Sequence, residues 1–260
     1  MMTFLATDSL SVAFGGLAAV KNLSIDIKQG KVHGLIGPNG AGKTTLINAI
    51  SGLVPLSGGR ILFDGSDIAR LPPNRRARLG IGRTFQHAEA FPDQTVLSNV
   101  MTGLFLRGAW SIWRDLVGSP GKWRAERRVE KEAFDLLERF GIVDYAAEPA
   151  SELPFGILKK LDLARALAGR PRLLMLDEPT SGLSEEEAGE VIMTCRDLAG
   201  DLGMTLVIVE HNMRVIMSLA DTITVLDNGE VIAEGPPEAV QRDARVIEAY
   251  LGAEAASARN

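Results

Sequence analysis

Gly37-Pro38-Asn39-Gly40-Ala41-Gly42-Lys43-Thr44 fits the pattern G-x-x-x-x-G-K-[ST]. Val32-His33-Gly34-Leu35-Ile36 before it reads as a short buried strand, and Thr45-Leu46-Ile47-Asn48-Ala49-Ile50 after it as the first turns of a helix. Gly37, Gly40 and Gly42 leave the backbone free to curl until successive N–H groups and the helix N-terminus point at one anion. The loop is a phosphate cradle. Lys43 can reach β- and γ-phosphates as a point charge, and the Thr44 hydroxyl can complete the shell of a bound Mg²⁺. A glycine-rich turn with a surface lysine would share the pattern without needing a strand before it and a helix after it.

A second stretch, Leu173-Leu174-Met175-Leu176-Asp177-Glu178, ends an apolar strand in two carboxylates, a costly arrangement unless a cation or substrate meets them. Asp177 suits the Mg²⁺ held by Thr44, and Glu178 a general base for the water that attacks a γ-phosphate. An acidic helix cap before Pro179 would account for only one of the two. His211, just after Val209-Glu210, could reach the γ-phosphate from a neighbouring strand, or be structural; Gln86 could be a polar surface residue.

The 260 residues are 46% hydrophobic and 23% charged, enough for one large domain or a domain with a satellite. The net charge is −5, so nucleic-acid binding would need a local basic patch. Arg75-Arg76-Ala77-Arg78 is the candidate, and without interleaved aromatics it reads as a solvated helix face. Cys195 alone excludes an internal disulfide, suits a reducing compartment and reads as a buried inert thiol. The N-terminus lacks a basic-then-apolar signal, and no apolar run approaches the ~18 residues of a spanning helix, so a cytoplasmic chain is expected.

Thr3 to Gly30 alternates as two strands joined at Gly15-Gly16, and Gly58 to Phe63 closes at Asp64-Gly65; these predict antiparallel strands beside the phosphate-loop core. From Leu97 to Ala150 the period becomes helical, with Val129, Ala133, Leu136, Leu137 and Phe140 on one stripe. The continuous runs 172–176 and 205–209 read as central strands joined by a crossover helix over 188–200, and Asp227-Asn228-Gly229-Glu230 as a hairpin turn. The expected architecture is α/β: a P-loop NTPase (RecA-like) core with an antiparallel β subdomain and a helical satellite. One domain over 1–252 is expected, with 1–96 and 171–252 as core and β subdomain, 97–170 as the helical part, and 253–260 as a fraying tail.

Over nearly its whole length the chain resembles the ATP-binding subunits of ATP-binding cassette (ABC) transporters, on the order of its motifs. Phe14 looks like the aromatic that stacks on adenine, and Gly37, Pro38, Asn39, Gly40, Ala41, Gly42, Lys43, Thr44 and Thr45 like the Walker A loop. Gln86 looks like the Q-loop glutamine that senses Mg²⁺ and the membrane partner, and Asp177 and Glu178 like the Walker B aspartate and catalytic glutamate. Ser181-Gly182-Leu183-Ser184 looks like the D-loop, and His211 like the switch histidine. The resemblance implies ATP and Mg²⁺ as ligands, with Thr44, Gln86 and Asp177 at the metal and Glu178, His211 and Gln86 in hydrolysis.

The signature, usually L-S-G-G-Q, reads Leu153-Pro154-Phe155-Gly156-Ile157, and Ser184 replaces the usual D-loop aspartate. Gly156 and the helix after it remain, so a helix N-terminus can still face a phosphate held by a second cassette, with slower or more partner-dependent hydrolysis expected. Phe14 to Val20, Gly80 to Gln86, the signature region and the tryptophan-bearing 103–128 insertion are similar to the branched-chain amino-acid importer type. That implies membrane permease subunits, a second ATP-binding subunit in a homo- or heterodimer, indirect service to a solute-binding protein, no nucleic acid, and a place on the inner face of the plasma membrane. Two other readings stay open: a cassette ATPase acting on ribosomes or DNA, and a weakly catalytic regulatory partner.

Overall fold

Strands β1 (Thr3–Phe14), β2 (Leu17–Leu23) and β3 (Asp26–Lys28) alternate buried and open positions, as strands with one covered face do. Residues 3–84, 90–104, 121–210 and 213–257 are described by a computed structural model. Contacts group the chain into two compact units, Met1–Arg83 with Arg172–Glu178 and Gly203–Asn260, and Thr84–Pro171 with Pro179–Leu202. In the first unit β1 pairs antiparallel with β2, with β3 and with β5 (Gly58–Phe63), which turns into β6 (Ser66–Asp67), giving the order β2-β1-β5-β6 with β3 on β1. The turns at Gly15-Gly16 and Asp64-Gly65 fall where the sequence predicts them.

The second sheet of this unit runs β11-β10-β4-β9-β8-β7. Here β4 (Val32–Ile36), β8 (Leu173–Asp177) and β9 (Thr205–Val209) are buried at every residue, and β10 (Thr222–Asp227) and β7 (Ile81–Arg83) extend the parallel set. Only β11 (Glu230–Gly235) runs antiparallel, through the Asn228-Gly229 hairpin. Helix α1 (Lys43–Ser51) lies between the two sheets. Leu46, Ile47 and Ile50 share one core with Leu10, Val12, Ile61 and Phe63 of the antiparallel sheet and with Leu35, Met175 and Val207 of the parallel one.

The basic run departs from the solvated face read above. Helix α2 (Pro73–Arg78) turns Arg76 inward, where it is 2% exposed. Its guanidinium donates to the carbonyls of Ala49 and Ile50 at 2.6 and 2.8 Å, and to Leu71 and Ala69 at 2.8 and 2.9 Å. A cation at the C-terminus of α1 satisfies carbonyls the helix itself cannot and complements its dipole. A count of arginines cannot distinguish the one that caps a neighbouring helix from the two beside it that face water.

In the second unit residues 96–104 form helix α3, followed by α4 (Gly121–Arg139), α5 (Phe155–Ala168) and α6 (Glu185–Asp201). The stripe Val129, Ala133, Leu137 and Phe140 is buried as its spacing predicts, with Leu136 half-buried. Gly103 lets α3 cross α5 closely: a Cβ there would stand 2.3 Å from the Arg165 carbonyl oxygen. Helix α6 links β8 to β9 in the chain as expected for a crossover, and its contacts group with α5. Cys195 on α6 is fully buried, which pushes its thiol up to about 12. The short helices α7 (Met213–Leu219) and α8 (Pro237–Gln241) precede α9 (Ala244–Ser257), which continues through the stretch from Ala253 read above as a fraying tail. Alanines at 253, 255 and 256 explain the helical backbone, since alanine has the best intrinsic propensity.

Two consequences are measurable. Arg76→Ala strips donors from four carbonyls and is expected to cost about 3 kcal/mol, seen as a fall of roughly 6–12 °C in melting temperature. His33 on β4 is 2% exposed with Nε2 2.8 Å from Thr224 Oγ1, and burial pushes its imidazole down from 6.5 to about 4. The unfolded chain therefore takes up this proton first. His33's contribution is complete above pH 6.5 and is lost as pH falls toward 4, by up to about 3 kcal/mol. Urea midpoints of wild type and His33→Gln across that window should converge as the pH drops.

Candidate functional site

The chain leaves β4 at Ile36 and must enter α1 seven residues later, and the backbone between them is closely confined. At Gly37, with φ 149°, a Cβ would stand 2.1 Å from the carbonyl oxygen of Leu226 on β10; at Gly42, with φ 101°, 2.5 Å from that of Ala19 on β2. Neither position admits a side chain, so both glycines are steric requirements. The loop is held by Gly229 N–H donating to Ala41 O at 3.0 Å and by Lys21 N–H donating to Gly229 O at 2.8 Å. Gly42 caps α1 without a side-chain acceptor and no acidic residue occupies the first turn, so the N-terminal partial positive charge is not offset locally.

Lys43 is 6% exposed, its ammonium donating to the carbonyls of Gly37 and Pro38 at 2.7 and 2.9 Å. Burial draws its pKa down, while the Glu178 and Asp177 carboxylates draw it back up, so one field joins the loop to the acidic pair. Asp177 ends β8 almost fully buried, and its carboxylate is raised chiefly by that burial and lowered by Arg83. Arg83 Nη2 donates to Asp177 Oδ2 at 2.8 Å, and Nη1 to Asn48 Oδ1 on α1 at 2.5 Å. Glu178 takes a left-handed conformation, φ 49°, with its N–H donating to Val209 O at 3.0 Å. Such backbone for a non-glycine residue costs on the order of 1 kcal/mol and is held by its surroundings.

Phe14 lies at the end of β1, 51% exposed, facing Leu17 across the hairpin whose Ala19 carbonyl abuts Gly42. The first unit thus brings together Phe14, the loop from Gly37 to Thr45, Asp177 and Glu178. Gly156 belongs to the second unit, in the first turn of α5, and Gln86 and His211 lie outside the described residues. Among the described residues no cluster of three or more His, Cys, Asp or Glu could hold a metal by itself. One buried carboxylate beside the Thr44 hydroxyl turn instead fits a hard cation that keeps waters and takes its remaining oxygens from a phosphate.

Sequence reasoning missed Arg83, Asn48 and Tyr250. Arg83 was legible only as part of the stretch before Gln86, and its pairing with Asp177 crosses 94 residues of chain. Burial of the Tyr250 hydroxyl on α9 pushes the phenol up to about 12, a rise that the nearby Gly37 backbone partly offsets; no local pattern links the two positions. Ser184 takes a definite role. It caps α6 in a reciprocal box, with Glu187 N–H donating to its hydroxyl at 3.3 Å and its own N–H donating to the Glu187 carboxylate at 2.9 Å. Serine and aspartate cap equally well, so replacing an aspartate here keeps the helix start.

A glycine-confined anion loop between a buried parallel strand and a helix, with a lysine inside it and an acidic strand end opposite, defines a P-loop nucleotide-binding protein. A family profile described as ABC transporter matches residues 20–181, and one described as branched-chain amino acid ATP-binding cassette transporter matches residues 230–256. The chain belongs to the ATP-binding cassette family of ABC transporters and is a transport ATPase. It is 36% identical over 248 residues to the high-affinity branched-chain amino acid transport ATP-binding protein LivG of Escherichia coli K12, covering 95% of this chain and 97% of that one. A probable LivG of Archaeoglobus fulgidus is 35% identical over 254 residues, covering 97% of each chain. Among solved structures, an ABC transporter cassette in its ADP conformation superposes with a TM-score of 0.81 at 33% identity, covering 97% of this chain and all of the other. A nucleotide-free cassette superposes with 0.78 at 31% identity, covering 96% and 99%.

Ser184→Ala is expected to cost about 1 kcal/mol of stability while Ser184→Asp costs almost nothing. Thermal melts of the two variants check it.

Proposed function

We propose that this ATPase powers an importer of branched-chain amino acids or a related small polar solute, docked on membrane permease subunits at the inner face of the plasma membrane. The observation that carries the reading is the confined loop with Lys43 facing Asp177 and Glu178, in a chain colinear with proteins named for that transport. No described helix is long and apolar enough to cross a membrane, so the membrane path falls to other subunits.

In this reading Phe14 stacks on adenine, the amides from Gly37 to Thr45 wrap the phosphates, and Lys43 exchanges the Gly37 and Pro38 carbonyls for phosphate oxygens. Thr44, Asp177 and Gln86 would hold Mg²⁺, which supplies charge neutralisation at the phosphates when bound. Glu178, fixed in its left-handed turn, takes the proton of the attacking water, and His211 and Gln86 flank the γ-phosphate. Gly156, at the start of α5, covers a nucleotide held by a second ATP-binding subunit. The domain scheme follows: core and β subdomain bind nucleotide, and the helical unit carries the signature.

The signature departure favours one refinement. Phe155 presents a half-exposed ring where the family has a small residue, packed over Gly182 and 5.7 Å from the Lys159 ammonium. A bulky apolar group supplies no phosphate ligand at this turn, which fits slower or more partner-dependent turnover.

Glu178→Gln should keep nucleotide affinity within about twofold and slow hydrolysis by ~10²–10⁴. Phosphate release and binding of a fluorescent ATP analogue, measured on one preparation with and without the permease subunits, check both halves. Unchanged turnover would remove Glu178 from the role of base.

A further inference from the structure

The last residue of β7 is an arginine on the face of the sheet that leads to the acidic strand end. In the parallel register Arg83 stands opposite Met175, so Asp177 lies two residues further along β8 on the same face, within reach of a long side chain. The two side chains are 9% and 4% exposed, making this a buried ion pair at 2.8 Å. The other guanidinium nitrogen donates to Asn48, which sits one helical turn after Thr44 on α1 and shares its face. One planar cation thus joins β7, β8 and the P-loop helix one turn after Thr44. Lys43 does not fill this place, because its ammonium is engaged with Gly37 and Pro38.

We propose that Arg83 is a positioning residue that aims the Asp177 carboxylate when no divalent cation is bound, and whose charge sets the Mg²⁺ requirement of nucleotide binding. The proposal rests on the nucleotide-site reading above. A buried carboxylate beside Glu178 would be costly to keep charged alone, and the guanidinium offsets that cost. The same positive charge opposes a second cation arriving at the carboxylate, so the arginine and Mg²⁺ compete electrostatically for Asp177. A lysine carries the same charge without bonding Asp177 and Asn48 in one plane, so it separates the effect of the charge from that of the fork.

The test is nucleotide binding rather than turnover. A fluorescent ATP analogue is titrated at fixed concentration with MgCl₂, from EDTA-treated protein, for wild type, Arg83→Gln and Arg83→Lys. Arg83→Gln is expected to lower the half-saturating Mg²⁺ roughly tenfold, the effect of removing a partly screened unit charge next to a divalent ion. Arg83→Lys is expected to stay within about twofold of wild type. A folded Arg83→Gln chain with unchanged or raised half-saturating Mg²⁺ overturns the proposal. A second measurement on wild type avoids dependence on that variant's folding. The slowly exchanging Arg83 guanidinium resonance, identified by its loss in Arg83→Lys, is expected to shift with ATP plus Mg²⁺ and to hold with ATP plus EDTA. A resonance unmoved by Mg²⁺ also overturns it. Wild type that binds no nucleotide with or without Mg²⁺ overturns the nucleotide-site reading instead, and this proposal with it.

Discussion

The passage of the backbone from β4 into α1 is the constraint on which the rest of the structure depends. Gly37 must pass against the carbonyl of Leu226, and Gly42 against that of Ala19, with no room for a Cβ at either place. Those carbonyls belong to β10 and β2, so the loop is shaped by both sheets at once. The core that α1 shares with Leu10, Val12, Ile61 and Phe63 on one side and Leu35 and Val207 on the other keeps the two sheets at the distance the loop requires. Arg76 closes the far end of the same helix by taking up its last carbonyls. Both ends of α1 are therefore defined by long-range contacts, although its propensity is local.

The polar groups around the loop are arranged as internal substitutes for a ligand. Lys43 donates to the carbonyls of its own loop, and Asp177 accepts from Arg83. Each buried charge would otherwise carry a large desolvation cost, and each partner is one that an incoming phosphate or cation can replace. Glu178 differs: its backbone is held in a left-handed turn by Val209, so its position is set by the sheet and does not wait for a ligand. The division leaves the partners of Lys43 and Asp177 exchangeable while the backbone at Glu178 stays in place.

Much of this was legible in the sequence because it is encoded locally. The loop pattern, the continuous apolar runs of β8 and β9, the Asn228-Gly229 turn and the Val129–Phe140 stripe each state their structure within a dozen residues. What was not legible is carried by arginines acting across the chain. Arg76 and Arg83 lie in stretches whose composition is that of an ordinary surface, and each becomes buried only because carbonyls or a carboxylate from distant residues surround it. Long side chains can reach inward from an exposed-looking helix or strand end, and periodicity reports the Cα position, not the charged head. Small residues near a terminus suggest a fraying tail from Ala253, and helix α9, started at Ala244, runs as far as Ser257.

The helical unit shows how a motif can lose its usual residues and keep its geometry. In α5 the first turn retains Gly156, where a Cβ would meet only Leu183 at 3.5 Å and Glu187 at 3.8 Å, so space does not dictate the glycine. Its neighbour Phe155 covers Gly182, where a Cβ would stand 2.6 Å from the ring, so the aromatic and the second glycine are fitted to each other. Ser184 then starts α6 with a full capping box. The signature turn and the turn before α6 are thus locked together by packing and capping rather than by the serine, glutamine and aspartate that the motifs usually carry. A surface so built keeps its shape while presenting a ring instead of phosphate ligands.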